Sequence, residues 1–595
     1  MGKIREFFKK IENAYLVVAL IAGGIFVFFN PPFEGVPDEG AHFYRAWGVS
    51  QGDVICSKKL NGAALNLPEE LKPYKVNGSN DEKISLGKIK KALFEKDSKQ
   101  MVAGGSAVCG SNPLGYLPQA IGISVSKIFN LPVLWGFYFA RFFSMFAAVF
   151  ITYLALRLIP FGKIVILLIA LLPMTMQQYA SLSYDALHIS MIFLFTAYVL
   201  KLSVGEGKLS KREMILLALS AIAAANIKFG FLPVLLLLFI MPWKRFGSKK
   251  NFWLYVIGTI FISFLIVFVA QKSAVGSEGA REGVYPIEQI WLIIKNPFVF
   301  LYAVINTLYS GAEFFFETFL YKPGWLKNQL SPLFYIFLFL GLIILMRSSD
   351  EKVMLSKKQR WILGLTSIAS LLFVFFSMYV LWSKVGGDKV QGVQGRYFLS
   401  TFPLLLLAFY KSGFRFGFDR IKKHLNVSII IFFTLIFASV VVSIWNIYYD
   451  NTQTDSKYEY VKYISKEDVA SLKTDQSHSE LRQTFVADKN NLQGIKLYIE
   501  KGIYSGKANF FLKDENCEKT LRKKDLSWDK DEFGSIQINF GLTAESEGER
   551  YCMEASFSDI AIPFKVSEGV YGKGEASIDG QPISGDLVFD LVYKN

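Results

Sequence analysis

Between Pro31 and Trp47 the chain reads PPFEGVPDEGAHFYRAW, directly after its first long apolar run. Pro37 has a fixed φ and no N–H, so it suits the first turn of a helix. Asp38 and Glu39 then fall in that turn, where the helix dipole favours anions. Counting from Asp38, His42 and Arg45 lie at i+4 and i+7, so acid, imidazole and guanidinium share one face. An acid, a titratable base and a fixed cation within two turns of a membrane surface suit proton transfer and phosphate binding. A plainer reading stands beside it: acids after proline are ordinary helix-start chemistry, and His and Arg are ordinary solvated surface.

Other ionisable residues recur at the borders of apolar runs. Tyr184 and Asp185 lie in QQYASLSYDALH, Lys228 in NIKFG, and Arg281 and Glu282 ahead of a later run. Glu313, Glu317 and Lys322 lie in GAEFFFETFLYKPGW; Lys384, Gln394, Arg396 and Tyr397 lie in SKVGGDKVQGVQGRYF. Charged groups at membrane depth are costly, so they tend to face a water-filled cavity and to mark a site. Singly, each has a structural alternative, Asp185 as a helix cap and Lys228 as a snorkelling cation.

The elements that would position them are membrane spans. The chain is 52% hydrophobic with 16% aromatics, and many apolar runs are long enough to cross a bilayer, which makes it a polytopic α-helical membrane protein. Its net charge of +15 sits mainly in short loops between apolar runs. That is the positive-inside pattern and not a nucleic-acid footprint. The N-terminus has a basic start and an apolar core but no small-residue cleavage site, so it reads as a retained span. No phosphate-loop or dinucleotide fingerprint appears, which excludes a nucleotide-driven pump within this chain.

Six basic clusters mark cytoplasmic loops: Lys3–Lys10, Arg157–Lys163, Lys201–Arg212, Lys244–Lys250, Arg347–Arg360 and Lys411–Lys423. All six lie inside only if the runs at 113–130 and 297–311 are re-entrant or interfacial. About eleven crossings follow, with the N-terminus inside and the C-terminus outside; thirteen is the alternative. The border residues then gather on the outer face, beside a long first outer loop at 30–112. That loop contains Cys56 and Cys109, and the C-terminal region contains Cys517 and Cys552. Two pairs, each confined to one outer segment, predict disulfides 56–109 and 517–552. With four His in the chain, a metal site is poorly supplied with ligands. Residues 1–447 form the membrane domain, 448–482 a linker that is partly helical over 453–482, and 483–595 an extracytoplasmic all-β sandwich of short alternating strands.

PPFEGVPDEGAHFYRAWGVSQGDV, NPLGYLPQAIGI and GVQGRYFLSTFPLLLL, with SLSYDALHISMIFLF between them, resemble a bacterial family of predicted multi-spanning membrane proteins grouped as a domain of unknown function. The resemblance covers roughly residues 10–450, and PDE-x-x-H-x-x-R and GVQGRY are its most specific parts. That family in turn resembles the GT-C superfamily of membrane glycosyltransferases, which use polyprenyl-phosphate sugars on the outer face and carry an acidic motif just after the first span. The resemblance implies that Asp38 or Glu39 is the general base on the acceptor hydroxyl, or a metal ligand as in metal-dependent members, with Asp185 a second acidic contributor. His42 joins the catalytic candidates through its spacing from Asp38. The resemblance also implies that Arg45, Lys228 and Arg396 hold the donor phosphate, with Tyr184, Arg281, Lys384, Gln394 and Tyr397 completing a substrate-binding set. The chain lacks the D-x-D pair of the oligosaccharyltransferases, so no cofactor is implied with certainty and a divalent metal stays open.

The function expected is therefore a glycosyltransferase of the bacterial cytoplasmic membrane. Its partners would be a polyprenyl-phosphate sugar donor, a cell-surface glycan or lipid acceptor and membrane lipid, with no nucleic acid. The donor's lipid would need a lateral groove, which re-entrant segments and Phe-rich spans can form. A lipid-linked sugar transporter or flippase, a surface polysaccharide polymerase or ligase, and a non-catalytic envelope scaffold are the alternatives. A transporter calls for inverted repeats and broken helices near the midplane. No internal repeat is present, and the polar residues cluster at one face.

Overall fold

The computed structural model describes residues 10–32, 35–53, 111–273, 283–324, 328–349, 355–410, 424–449, 480–487, 489–543 and 546–558, with short pieces between them. The chain divides into two units, Met1–Tyr449 and Asp450–Asn595. The boundary falls two residues beyond the expected end of the membrane domain.

The first unit is helical. Helices α1 (Ile11–Phe29) and α2 (Glu39–Ser50) flank the opening motif, and the long loop behind them contains a small antiparallel pair, β1 (Leu65–Pro68) and β2 (Met101–Gly104). Next come α3 (Leu117–Ile128), α4 (Val133–Leu158), α5 (Lys163–Ala170), α6 (Pro173–Tyr179), α7 (Asp185–Val204) and α8 (Lys211–Asn226). A 3₁₀ segment, Phe229–Ile240, leads to α9 (Lys249–Ser273), α10 (Pro286–Lys295), α11 (Pro297–Ser310) and α12 (Ala312–Leu320). The unit ends with α13 (Pro332–Arg347), α14 (Lys357–Trp382), α15 (Phe402–Phe409) and α16 (Leu425–Tyr448).

Among the described residues, α1, α4, α7, α9, α14 and α16 are long and apolar enough to cross a membrane. The α10–α11 pair, bent by 106°, makes a seventh if it counts as one span. The other apolar runs are shorter or broken, and proline accounts for several breaks. The run at 161–179 splits into α5 and α6 because Pro173 pushes Leu172 into extended backbone (φ −55°, ψ 138°). The carbonyl of Ile169, near the break, accepts the Thr175 hydroxyl at 2.6 Å, as buried backbone in a membrane requires. The 229–240 segment, which contains Pro233, is kinked at Phe231 (φ −124°, ψ 15°), and Pro403 opens α15. The run at 113–130 starts as a 3₁₀ turn, Pro113–Tyr116, before the twelve residues of α3. At the basic ends, Ser210 with Glu213 and Ser356 with Gln359 form capping boxes that start α8 and α14.

In the second unit, β3 (Glu459–Lys462), β4 (Val469–Ser471), β5 (Glu480–Val486), β6 (Leu492–Lys513), β7 (Thr520–Thr543) and β8 (Arg550–Ser558) precede several short strands. β6 pairs with β7 and β8, β8 pairs with β5, and β3 pairs with Phe589–Tyr593 in the same eight-stranded sheet. A three-stranded sheet holds β4 and Lys565–Ser567. The inward row Ala508, Phe510 and Leu512 shows the period of two expected of a half-buried strand. The expected partly helical linker needs correction. Its described residues 459–462, 469–471 and 480–482 are strands, because partners at 589–593, 565–567 and 550–558 take up their backbone groups.

The Cys517–Cys552 disulfide forms, joining the turn after β6 to β8; Cys56 and Cys109 lie outside the described residues. Closing a loop across 35 residues is worth ~3–4 kcal/mol through the unfolded chain. Cys517→Ser with Cys552→Ser should lower the stability of the C-terminal unit by about that amount, measured as accelerated proteolysis of residues 450–595 in the full chain.

Candidate active site at the ends of the spans

The site is built outward from a buried ion pair. Glu39 and Arg141 have no solvent exposure, and the guanidinium meets the carboxylate twice, Nε to Oε1 at 2.8 Å and Nη2 to Oε2 at 2.5 Å. Arg141 Nη1 also donates to the carbonyls of Val27 (3.1 Å) and Asn30 (2.7 Å), and Nη2 to that of Pro31 (2.9 Å). All five guanidinium N–H groups are thereby engaged. The Leu182 N–H donates to Glu39 Oε1 at 3.3 Å. Arg141 of α4 thus ties the end of α1 to the start of α2, and Glu39 in turn holds the bend that leads into α7.

This anchor changes the reading of the motif. α2 begins at Glu39, and Asp38 is its N-cap residue in the left-handed region, φ 62°. Asp38 therefore stands ahead of the first turn, exposed, and its carboxylate makes no capping bond to its own helix. Neighbouring acids have opposite environments: Glu39 is locked into the fold, and Asp38 faces outward.

The rest of the site converges next to Asp38. His42 Nδ1 lies 2.7 Å from the Tyr116 hydroxyl, and the Tyr184 ring stands perpendicular to both rings, with centroids 5.1 and 5.8 Å away. Gly115 permits this, since a Cβ there would come within 2.7 Å of Tyr184 Cβ. Asp185 accepts from Lys228 Nζ at 2.7 Å, and Lys228 rests over the Tyr397 ring, 4.1 Å from its centroid. Arg396 is held by Gln394 Oε1 at 2.6 Å and Gln178 Oε1 at 3.1 Å. Gly395 lets this turn press on α12, donating its N–H to Thr318 at 2.8 Å where a Cβ would lie 2.0 Å from the Phe315 carbonyl. Asp38 is close enough for its charge to act on Tyr116, Lys228 and Tyr397. Burial lowers the His42 imidazole to about 3, against the opposing pull of Asp185, so at neutral pH it is an uncharged hydrogen-bonding group.

Asp38, His42, Tyr184, Asp185, Lys228, Gln394, Arg396 and Tyr397 are therefore brought together. Arg45 and Lys384 are not. The Arg45 guanidinium donates to the carbonyls of Asp53 (2.9 Å) and Ser111 (3.3 Å), closing the base of the long first loop. Lys384 is exposed beside Gly283, on a segment docked to α10 through Gly386 N–H and Gln289 Oε1 at 2.9 Å. Arg281 lies outside the described residues. Among those residues, no group of three or more His, Cys, Asp or Glu is placed to hold a metal, since Glu39 and Asp185 are each turned to a cation.

Four contributors were not anticipated. Arg141 is hidden inside an apolar run, while Tyr116 and Gln178 carry no charge. His188 lies one turn beyond Asp185 and contacts Ser400 Oγ at 3.2 Å, so the i+3 spacing in DALH was its signal.

Residues 20–408 match the model of a family described as predicted membrane protein (DUF2142). The chain belongs to that family. No curated protein matches it. The DUF2142 match contains every member of the cluster, and the β unit lies beyond it.

Removing one partner of the anchor leaves a buried charge unpaired, so Glu39→Ala or Arg141→Met should each cost ~3–5 kcal/mol in thermal unfolding. Asp38→Asn, at an exposed left-handed position that Asn also tolerates, should stay within ~0.5 kcal/mol. His42 adds a pH dependence. Below about 6.5 the unfolded chain takes up a proton that folded His42 refuses until about 3. Stability should therefore fall with acidification across that window, by up to ~1.4 kcal/mol per pH unit from this group. His42→Gln should flatten the slope.

Proposed function

We propose that this chain is a glycosyltransferase of the bacterial cytoplasmic membrane, moving a sugar from a polyprenyl-phosphate donor to a surface glycan or lipid acceptor on the outer face. The observation that carries this reading is the meeting of a half-buried cation, Lys228, and a buried one, Arg396, with the exposed carboxylate of Asp38 at the ends of several helices. The acceptor hydroxyl attacks the anomeric carbon, and its proton passes to Asp38. The bond from that carbon to the phosphate oxygen breaks, and the electron pair leaves with the polyprenyl phosphate. Lys228 and Arg396 meet the growing phosphate charge in a site with little water. Asp185 and Tyr397 orient Lys228; Gln178 and Gln394 orient Arg396. Neutral His42 with Tyr116 positions the wall beside Asp38.

Further parts of the proposal are a GT-C-like membrane unit and eleven crossings. These are α1, α4, α5–α6, α7, α8, the 229–240 segment, α9, α13, α14, α15 and α16, with α3 and the α10–α11 elbow remaining at the outer side. The basic loops then lie in the cytoplasm, and residues 450–595 lie outside, where the Cys517–Cys552 bond persists. A lipid-linked sugar carrier is the second reading, favoured by the break between α5 and α6, since carriers are built on discontinuous helices.

Deleting the gene should remove one sugar from a surface glycan or lipid, and the wild-type chain should restore it. Asp38→Asn should reduce transfer by ~10²–10⁴-fold with the protein still folded, as loss of a general base does. Full restoration by Asp38→Asn would sink the reading; purified protein that moves the lipid-linked sugar across vesicles without forming a glycosidic product would favour the carrier.

A further inference from the structure

The turn Pro113–Tyr116 and α3 stand between the cluster and the outside of the bundle. Tyr116 is buried and turned to His42, whereas Leu114 and Leu117, on either side of it, are exposed. With Ile121 and Ile128 they form one stripe, at i, i+3, i+7 and i+14. The opposite face of α3 packs on α4: Gly122 meets the backbone of Phe139 and Ala140, and Gln119 Nε2 donates to Ser144 Oγ at 3.3 Å. The two helices run antiparallel, so α3 begins near the level of Ser144 and covers α4 only toward Val133. Along α4 from Phe139, positions i+3, i+7 and i+11 are Phe142, Phe146 and Phe150. All three are exposed, and the first two rings are 4.7 Å apart. Two exposed apolar rows result: one on α3 that starts beside Tyr116 at the wall of the site, and one on α4 that runs past the level at which α3 begins.

We propose that the α3 row, Leu114, Leu117 and Ile121, seats the apolar chain of a polyprenyl phosphate whose phosphate reaches Lys228 and Arg396 past the Pro113–Tyr116 turn. The inference rests on the proposed function. Continuity selects this occupant: the exposed side chains flank the one residue, Tyr116, that also bonds to the cluster, so a ligand with an anionic head and a long apolar tail meets both surfaces at once.

The test measures binding of geranyl phosphate and undecaprenyl phosphate, which share a headgroup and differ in chain length, to the full chain in nanodiscs. The wild-type protein should bind the long chain at least ~10-fold more tightly, a modest share of what burying extra methylenes can give. Leu117→Ser with Ile121→Ser should abolish most of that preference, weakening undecaprenyl phosphate far more than geranyl phosphate, whose short tail reaches only the start of the row. Ile128→Ser, exposed at the far end of the same helix, should keep the preference, and Arg396→Gln should weaken both ligands. A chain-length preference that survives the double variant, or that Ile128→Ser removes equally, overturns the seat and leaves the proposed function standing. A wild-type protein that binds neither phosphate overturns both.

Discussion

An ion cannot be taken out of water into a helical bundle unless every hydrogen bond it loses is replaced. Arg141 meets that condition fully, with its five N–H groups on Glu39 and on three carbonyls at the end of α1. Of those carbonyls, Val27 and Asn30 stand where a helix end leaves backbone acceptors without partners. The pair therefore fixes three things together: where α1 stops, where α2 starts and how α4 stands against them. An unpaired member would cost several kcal/mol, a large share of the 5–15 kcal/mol that holds an ordinary domain folded. The position of Asp38 follows from this junction, because Glu39 cannot turn outward without stranding Arg141.

The same rule sorts the cations of the site. Arg45 and Arg141 are both buried, and both are occupied by backbone carbonyls, so their charge serves the chain itself. Lys228 differs, with one carboxylate and the rings of Tyr184, Phe231 and Tyr397 for company and a little exposure left. A point charge on a flexible stem can exchange Asp185 for a phosphate without leaving its place. Arg396 is held by two side-chain amides, Gln178 and Gln394, whose neutral oxygens orient it without cancelling its charge. Two cations, one loosely neutralised and one not neutralised by its hydrogen-bond partners, suit a transient anion better than two closed salt bridges would.

Much of this was legible in the residues. Costly charges at the edges of apolar runs pointed to Asp38, Asp185, Lys228 and Arg396, and the fold places these four within reach of one another. The family was legible too, through PDE-x-x-H-x-x-R and GVQGRY. What sequence could not convey was direction. Helical spacing set Asp38, His42 and Arg45 on one face, yet the 111–116 segment packed there draws His42 to Tyr116 and Arg45 to Ser111. Lys384 shares a segment with Arg396, but side chains of α10 and α11 pin the first half of that segment elsewhere. Arg141 was invisible because one arginine in a long apolar run looks like an interruption, and only its partners give it meaning. In the C-terminal unit the early strands were missed because short edge strands have little pattern until a later segment pairs with them.

Breaks in the helices decide where the site can be. Tyr116 closes a 3₁₀ turn before α3, Gln178 and Asp185 bracket the gap between α6 and α7, Lys228 precedes the 229–240 segment, and Arg396 lies in the turn before α15. Each break frees backbone N–H and C=O groups that a membrane interior does not tolerate unpaired, so polar side chains and polar access must accompany it. Gly115 and Gly395 then bring the breaks together, because at both positions a side chain would strike a neighbouring segment. Where helices stop early, their polar ends gather, while longer neighbours such as α4 keep a row of exposed apolar side chains, Phe142, Phe146 and Phe150.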